Sequence, residues 1–367
     1  MKTTRISHLY ALMQQNGLDA LVLNPGPSFA YLTGMQFSLM ERPVILFLSP
    51  EAEPVLVLPE LEAIKLSQSD VPVKGITFGD NPATWGGFIH QACQAMQLEG
   101  KKVGVEPTRL RYLELRLLEE AVKAKFVSAE AVISGLRIQK EPSEIELMRK
   151  AVKIAQDALA NTLPIIKAGR TEKEVASELL LQLLKAGSDP DLAFAPIVAS
   201  GPNSANPHAF PTGRKLQAGD LLVIDWGAAY QGYISDLTRT FAIGKVEPEF
   251  QRIAGIVEQA NAAGRAASRP EITAGEVDKA TRKVIDDSGY GKYFTHRTGH
   301  GIGLEGHEPP FIFNENTGIL KEGMAFTVEP GIYLAGRGGV RIEDNVVITA
   351  SRAEILSDFP RQLRTLE

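Results

Sequence analysis

Short apolar runs at residues 20–23, 44–48, 55–58 and 103–105 alternate with helical patterns over residues 6–15 and 85–96. Apolar runs of this length are strands, and their near-unbroken character predicts a sheet covered on both faces. The alternation of strand and helix predicts an α/β layer over about the first 135 residues.

The texture changes between residues 136 and 146, where Lys140, Glu141 and Pro142 lead into Ser143. Ser143 and Glu146 have the spacing of an S-x-x-E capping box and predict a new helix. This transition divides the chain into domains of residues 1–135 and 136–367. Met148, Ala151, Val152, Ala155, Ala158 and Leu159 then form one stripe at i, i+3, i+4 spacing, the mark of a helix packed on a core. A second helix is expected over residues 172–186. From about Pro196 the chain becomes strand-like and glycine-rich, interrupted by helical patterns at 249–267 and 274–287. Residues 221–224 and 346–348 read as buried strands. Helices and strands in one segment predict an α+β domain, its helices packed on a curved antiparallel sheet. No internal sequence repeat is evident.

Composition narrows the function classes. A chain of 367 residues suits two domains, each able to bury a core. No apolar stretch approaches the roughly 20 residues of a membrane span, and the first 17 residues lack the apolar core of a signal peptide, so a cytoplasmic location is expected. The formal charge of -5, without a basic stripe, lacks the footprint of a nucleic-acid binder. A single cysteine, Cys93, reads as a small buried hydrophobe on a helix.

The candidate chemistry is acidic. Leu221-Leu222-Val223-Ile224-Asp225 puts a carboxylate at the end of an apolar strand, and Asp236 follows eleven residues later. A turn at Tyr230-Gln231 would set Asp225 and Asp236 directly opposite one another, where like charges repel unless a cation lies between them. Glu329 and Glu343 form a second pair, flanking a glycine-rich turn at Gly336 to Gly339. Two acidic pairs on apolar strands are poorly explained as solvated surface, because buried carboxylates are paired or metal-bound. Between the pairs, residues 296–308 hold His296, His300 and His307, three of the six histidines in the chain. Gly299, Gly301 and Gly303 argue for strand or loop there, not a helical zinc motif. His8 and His90 sit in amphipathic helices as surface or packing residues. Four carboxylates with His300 suit two divalent ions about 3.5–4 Å apart, which would activate water for amide hydrolysis.

These motifs resemble the metal-dependent pita-bread peptidases, in the branch of Xaa-Pro dipeptidases (prolidases) and aminopeptidase P. The resemblance covers essentially the whole chain. It rests on Asp225 and Asp236 at D-x10-D spacing, the H-x-T-G-H-G-I-G-L-x-x-H-E block from His296, T-V-E-P-G-I-Y at Thr327 and V-R-I-E-D at Val340. It implies an N-terminal creatinase-like α/β domain and a C-terminal α+β pita-bread catalytic domain. It further implies that Asp225 is bidentate on one ion, that Asp236 and Glu343 bridge two, and that His300 and Glu329 complete the other site. Glu329 would also accept the proton of the bridging water. By the same resemblance His208 contacts substrate near the scissile bond, His307 stabilises the tetrahedral intermediate, and His296, Tyr333 and Arg341 complete the substrate-binding surroundings. The implied cofactors are two divalent ions, with Mn²⁺ expected and Co²⁺, Zn²⁺ or Fe²⁺ as alternatives. The implied partners are small peptides with proline second and, in a homodimer, another copy of the chain.

The sequence departs from the family pattern at Gly306, where a branched aliphatic residue is usual before His307-Glu308. Loss of that side chain either enlarges the substrate pocket or lets the backbone bend. The resemblance implies an Xaa-Pro dipeptidase, in keeping with the short chain. Aminopeptidase P acting on longer peptides, and a non-peptide C–N hydrolase or lyase of the same fold, are the alternatives.

Overall fold

In the computed structural model, which describes residues 2–367, the apolar runs of the unit Met1–Arg137 become neighbouring strands of one sheet. The six-stranded order is Lys74–Phe78, Ala52–Pro59, Ile45–Ser49, Ala20–Leu23, Lys102–Val105 and Lys125–Ser128. Ala20–Leu23 pairs antiparallel with Ile45–Ser49 and parallel with Lys102–Val105, so the sheet is mixed. Val22, Ile45, Phe47 and Val57 pack with Ile89, Ala92 and Cys93 of the helix Trp85–Ala95. Cys93 is buried there, and burial pushes its thiol up to about 12. His8 and His90 are exposed on their helices.

The unit Ile138–Glu367 opens with the helix Pro142–Thr162, capped two residues earlier than the Ser143–Glu146 spacing suggests. Pro142 lacks an N–H and suits the first helical position. Glu141 therefore becomes the cap, and Glu144 Oε2 accepts from its backbone N–H at 2.7 Å. The stripe from Met148 to Leu159 is buried as its spacing predicts.

Two halves of this unit repeat one plan, although no sequence repeat announces it. Each runs a long helix, a second helix capped by Thr-x-x-Glu, and then strands. The second helices are Glu172–Lys185, capped by Thr171 and Glu174, and Ala274–Asp287, capped by Thr273 and Glu276. The first half supplies three strands of a four-stranded sheet, ordered Arg364–Leu366, Leu237–Ile243, Leu221–Trp226, Ile197–Ser200, whose edge strand Arg364–Leu366 comes from the C-terminal end of the chain. The second builds a five-stranded antiparallel sheet containing Gly299–Gly301, Ala325–Val328 and Asp344–Ile348. An isolated antiparallel bridge, Thr238 to Glu343, joins the two sheets.

Strand periodicity sorts these residues onto two faces. Leu222, Ile224, Trp226, Leu237 and Phe241 pack with Val152, Ala155, Val175 and Leu179 of the helices. Phe326, Val328, Val346 and Ile348 likewise pack with Val277. Asp225, Thr238, Thr327, Glu329, Glu343 and Asn345 have the opposite parity and share the other face.

Arg239 and Asp344 share the helix-side parity and meet behind that face. Arg239 Nη2 lies 2.9 Å from Asp344 Oδ1, with both side chains essentially inaccessible. Arg239 Nη1 also donates to the carbonyls of Thr238 and Glu343 at 2.8 and 2.7 Å, tying the two sheets together. Arg239→Met removes these bonds and leaves Asp344 with less compensating charge. The expected cost is about 3–5 kcal/mol, read as a lower urea midpoint; an unchanged midpoint would contradict this assignment.

Candidate metal centre

Asp225 stands next to last in Leu221–Trp226, and the ladder places it opposite Thr238, not Asp236. The expected turn at Tyr230-Gln231 is corrected by one residue. Tyr230 pairs with Tyr233, and Gln231 and Gly232 form the loop with φ values of 49° and 81°. Both loop residues are left-handed, as a two-residue hairpin turn requires. Asp236 is thereby displaced from the facing position, yet its carboxylate still approaches that of Asp225.

The second pair keeps its expected register. Val328 faces Asp344 in one ladder and Gly331 faces Arg341 in the next, so Glu329 and Glu343 occupy facing positions between them. Glu329 N–H donates to Thr298 O at 2.8 Å, and Glu343 N–H to Thr238 O at 3.1 Å. Thr238 Oγ1 donates to Glu343 Oε2 at 2.7 Å and accepts from Arg341 Nε at 3.1 Å. One threonine thus links an acid of the second half to the strand opposite Asp225.

Side-chain atoms from three groups of residues come within 4.8 Å of one another: Asp225 with Asp236 and Glu343, His300 with Glu329 and Glu343, and Asp236 with His300 and His307. The five residues expected as ligands converge, with Glu343 common to the two acid-rich groups. Burial and then the neighbouring carboxylates push Asp236 and Glu343 well above the usual carboxylate range. Burial also raises Glu329, to about 8. Among the described residues, Asp225 Oδ1 and Asp236 Oδ1 are buried and find no hydrogen-bond partner. Crowded, desolvated oxygens without donors are what a divalent cation satisfies, so the residues present fit a metal centre.

His300 is oriented as a ligand would be. Its Nδ1 lies 3.1 Å from Gly301 O, so that nitrogen carries the proton and Nε2 is left with its lone pair. Nε2 faces Glu329 Oε1 at 3.4 Å and Asp236 Oδ2 at 3.7 Å. Burial, followed by the adjacent His307 ring, lowers its pKa to about 3 and keeps the ring neutral. His307 is exposed and lies against the His300 ring with centroids 3.8 Å apart.

Arg341 organises the other expected residues. Its Nη2 donates to Asp225 Oδ2 at 2.6 Å, and its Nη1 donates to Tyr333 OH at 3.1 Å and to Pro207 O at 3.2 Å. Tyr333 OH lies 2.8 Å from His296 Nε2, while His296 Nδ1 lies 2.8 Å from Arg297 O. His296 therefore protonates Nδ1 and accepts from Tyr333. Burial holds His296 down at about 4 and Tyr333 up at about 12, so both are neutral. His208 is exposed, one residue beyond the carbonyl that Arg341 grips. A Cβ at Gly306 would meet Ala193 Cβ at 3.4 Å, and Gly306 does not need the left-handed region. A branched side chain would press on the segment around Ala193.

Several supporting residues escaped the sequence reading. Asp278 Oδ1 accepts from Thr298 N–H and Oγ1 at 3.1 and 2.7 Å, while Arg282 donates to His296 O at 2.8 Å. Asn345 exchanges two bonds with the Asp236 backbone, at 3.0 and 2.6 Å. Thr327 Oγ1 accepts from His300 N–H at 3.1 Å. Thr327 and Asn345 share the strand parity that selects the acids, whereas Asp278 and Arg282 lie on the helix Ala274–Asp287, where no such local signal exists.

The raised carboxylates set a pH dependence. A carboxyl raised to about 8 stays protonated in the folded metal-free protein after the unfolded chain has released its proton. Stability therefore falls as pH rises, whereas His296 and His300, lowered on folding, act in the opposite sense below about 6.5. Between about pH 6.5 and 8 the carboxylates dominate. Metal-free protein is expected to melt at lower temperature as pH rises through this window, and Mn²⁺ to remove the slope. A flat metal-free profile would show that the acids are not held together.

Residues 5–139 match the creatinase/prolidase N-terminal domain and residues 146–350 match metallopeptidase family M24. The chain is 35% identical over 361 residues to a Xaa-Pro dipeptidase of Pyrococcus horikoshii, covering 98% of each chain. The solved structure of a Xaa-Pro dipeptidase from Bacillus anthracis aligns with a TM-score of 0.92 at 32% identity, over 100% of both chains. An X-Pro aminopeptidase structure from Thermotoga maritima aligns with a TM-score of 0.86 at 31% identity, over 98% of this chain and 99% of its own. A family match over more than half of the chain, with full-length likeness at this identity, places it in metallopeptidase family M24, behind a creatinase/prolidase N-terminal domain.

Proposed function

We propose that this metallopeptidase is a Xaa-Pro dipeptidase that uses two divalent ions, with Mn²⁺ the expected metal. The observation that carries the reading is the convergence of Asp225, Asp236, His300, Glu329 and Glu343, with two buried aspartate oxygens lacking any donor. Glu343, Asp236 and His300 each belong to two of the three groups, and of these only the two carboxylates have a second oxygen to offer, which supports Asp236 and Glu343 as shared ligands. Two bound ions would lower the pKa of water and polarise the scissile carbonyl.

The surrounding side chains have complementary tasks. Glu329, whose Oε1 lies 3.4 Å from His300 Nε2 among the converging ligands, is the carboxylate placed to take up a proton from water there. The same group can return that proton to proline nitrogen, which must gain one to leave as an amine. His307 is neutral, its pKa lowered first by burial and then by Arg297. Arg297 Nη2 faces His307 Nδ1 at 3.4 Å as a donor, leaving the ring proton on Nε2, where it can serve a developing oxyanion. Arg341 fixes Asp225 on one side and the His208 loop on the other. His208, His296, Tyr333 and Arg341 thus border the space a peptide would take. The preference for proline rests on likeness to the Pyrococcus and Bacillus enzymes. Aminopeptidase activity on longer peptides is the second reading, supported by likeness to the Thermotoga enzyme.

Manganese-loaded protein is expected to hydrolyse a Xaa-Pro dipeptide, and to act much more slowly on the same sequence extended by several residues. The reverse preference would establish the aminopeptidase reading. No turnover of any Xaa-Pro substrate with Mn²⁺, Co²⁺ or Zn²⁺ would refute both. Asp236→Asn is expected to reduce metal-dependent turnover to background while preserving the circular-dichroism spectrum; full activity would contradict the ligand assignment.

A further inference from the structure

Glu172 is a fully buried carboxylate at the first position of the helix Glu172–Lys185. The neighbouring capping box is complete without it, because Thr171 and Glu174 supply both reciprocal bonds. Oε1 of Glu172 instead accepts from Ser200 N–H and Oγ, both at 2.8 Å, and from Asn203 Nδ2 at 3.0 Å. Oε2 accepts from Thr212 N–H at 2.9 Å and Thr212 Oγ1 at 2.6 Å. Burial would raise this carboxyl, but the bonds from Thr212 and Ser200 hold it below its usual range. A neutral amide could not accept this set.

The partners of Glu172 lie at both ends of the segment that carries His208. The middle of that segment is fixed from the opposite side: Ser204 Oγ accepts from Gly339 N–H at 2.9 Å, and Pro207 O accepts from Arg341. A Cβ on Gly339 would come within 2.3 Å of Ser204 O, so the close approach depends on glycine. The second half has the same device, since Asp278, also on the second helix, grips Thr298 between His296 and His300.

We propose that Glu172 is a positioning residue for His208, closing both ends of the 200–212 loop so that its histidine is presented to substrate at the metal centre. The inference rests on the peptidase reading for its kinetic consequence. It does not place Glu172 in contact with metal or substrate.

A double-mutant cycle tests it with manganese-loaded protein and a Xaa-Pro dipeptide. Glu172→Gln is expected to lower kcat/KM about tenfold or more, as displacement of a substrate-contacting group does. In a His208→Ala background the same substitution should add little, and manganese affinity should be unchanged in calorimetry. Thr212→Val should give a smaller loss in the same direction. Amide exchange in residues 200–212 should accelerate in both single variants. Equal losses with and without His208, or loss of manganese binding, would overturn the proposal, as would unchanged exchange in the loop. If wild-type protein binds manganese but cleaves no Xaa-Pro peptide, the peptidase reading fails, and loop exchange by itself decides whether Glu172 holds the segment.

Discussion

Four carboxylates drawn into one buried space repel one another, and the catalytic unit is arranged around that repulsion. Ligand atoms lie within 4.8 Å inside each group. A pair of like charges at such a distance costs roughly 3–4 kcal/mol at an effective dielectric of 20. Some of this is offset by Arg341, whose guanidinium sits on Asp225, and some by the proton uptake that burial forces on Asp236, Glu329 and Glu343. The remainder creates the affinity for cations. The protein holds the acids in an unfavourable arrangement through backbone register and rigid packing, which a bound metal ion would relieve.

The rigidity comes from the face that the site does not use. Behind Glu343, the buried Arg239–Asp344 pair is completed by Arg361, whose Nε lies 2.7 Å from Asp344 Oδ2. Arg239 reaches the carbonyls of Phe359 and Pro360 as well as those of Thr238 and Glu343, so the C-terminal segment braces the junction of the two sheets. On each side of that junction, an acid from a second helix grips a histidine-bearing segment. The repeated architecture thus has a chemical consequence: each half brings two acids and its own means of holding histidines.

Much of this was legible because strand parity and glycine punctuation are local signals. The glycine-rich turn at Gly336 to Gly339 centred the Glu329–Glu343 hairpin, and the observed register agrees. The Asp225–Asp236 hairpin was misjudged because the turn is chosen by Gln231 and Gly232, whose left-handed backbone moves the pairing by one residue on each strand. A displacement of this kind preserves the face each side chain occupies, which is why the candidate ligands survive the error. The capping box at Ser143 failed because proline's requirement for the first helical turn outranks a serine one place later. Glu172, Asp278 and Arg239 gave no local sign of their task, since their partners are brought near only by tertiary folding. Glu172 left one trace, an acidic residue in a first turn already capped by Glu174.

Crowded acids of this kind are expected to form a two-ion centre built on Glu343. Crystals of the protein with Mn²⁺, measured at the manganese absorption edge, test it most directly. Two anomalous peaks per chain about 3.5–4 Å apart are expected, with Glu343 and Asp236 touching both. A single peak, or two peaks away from these residues, would contradict it.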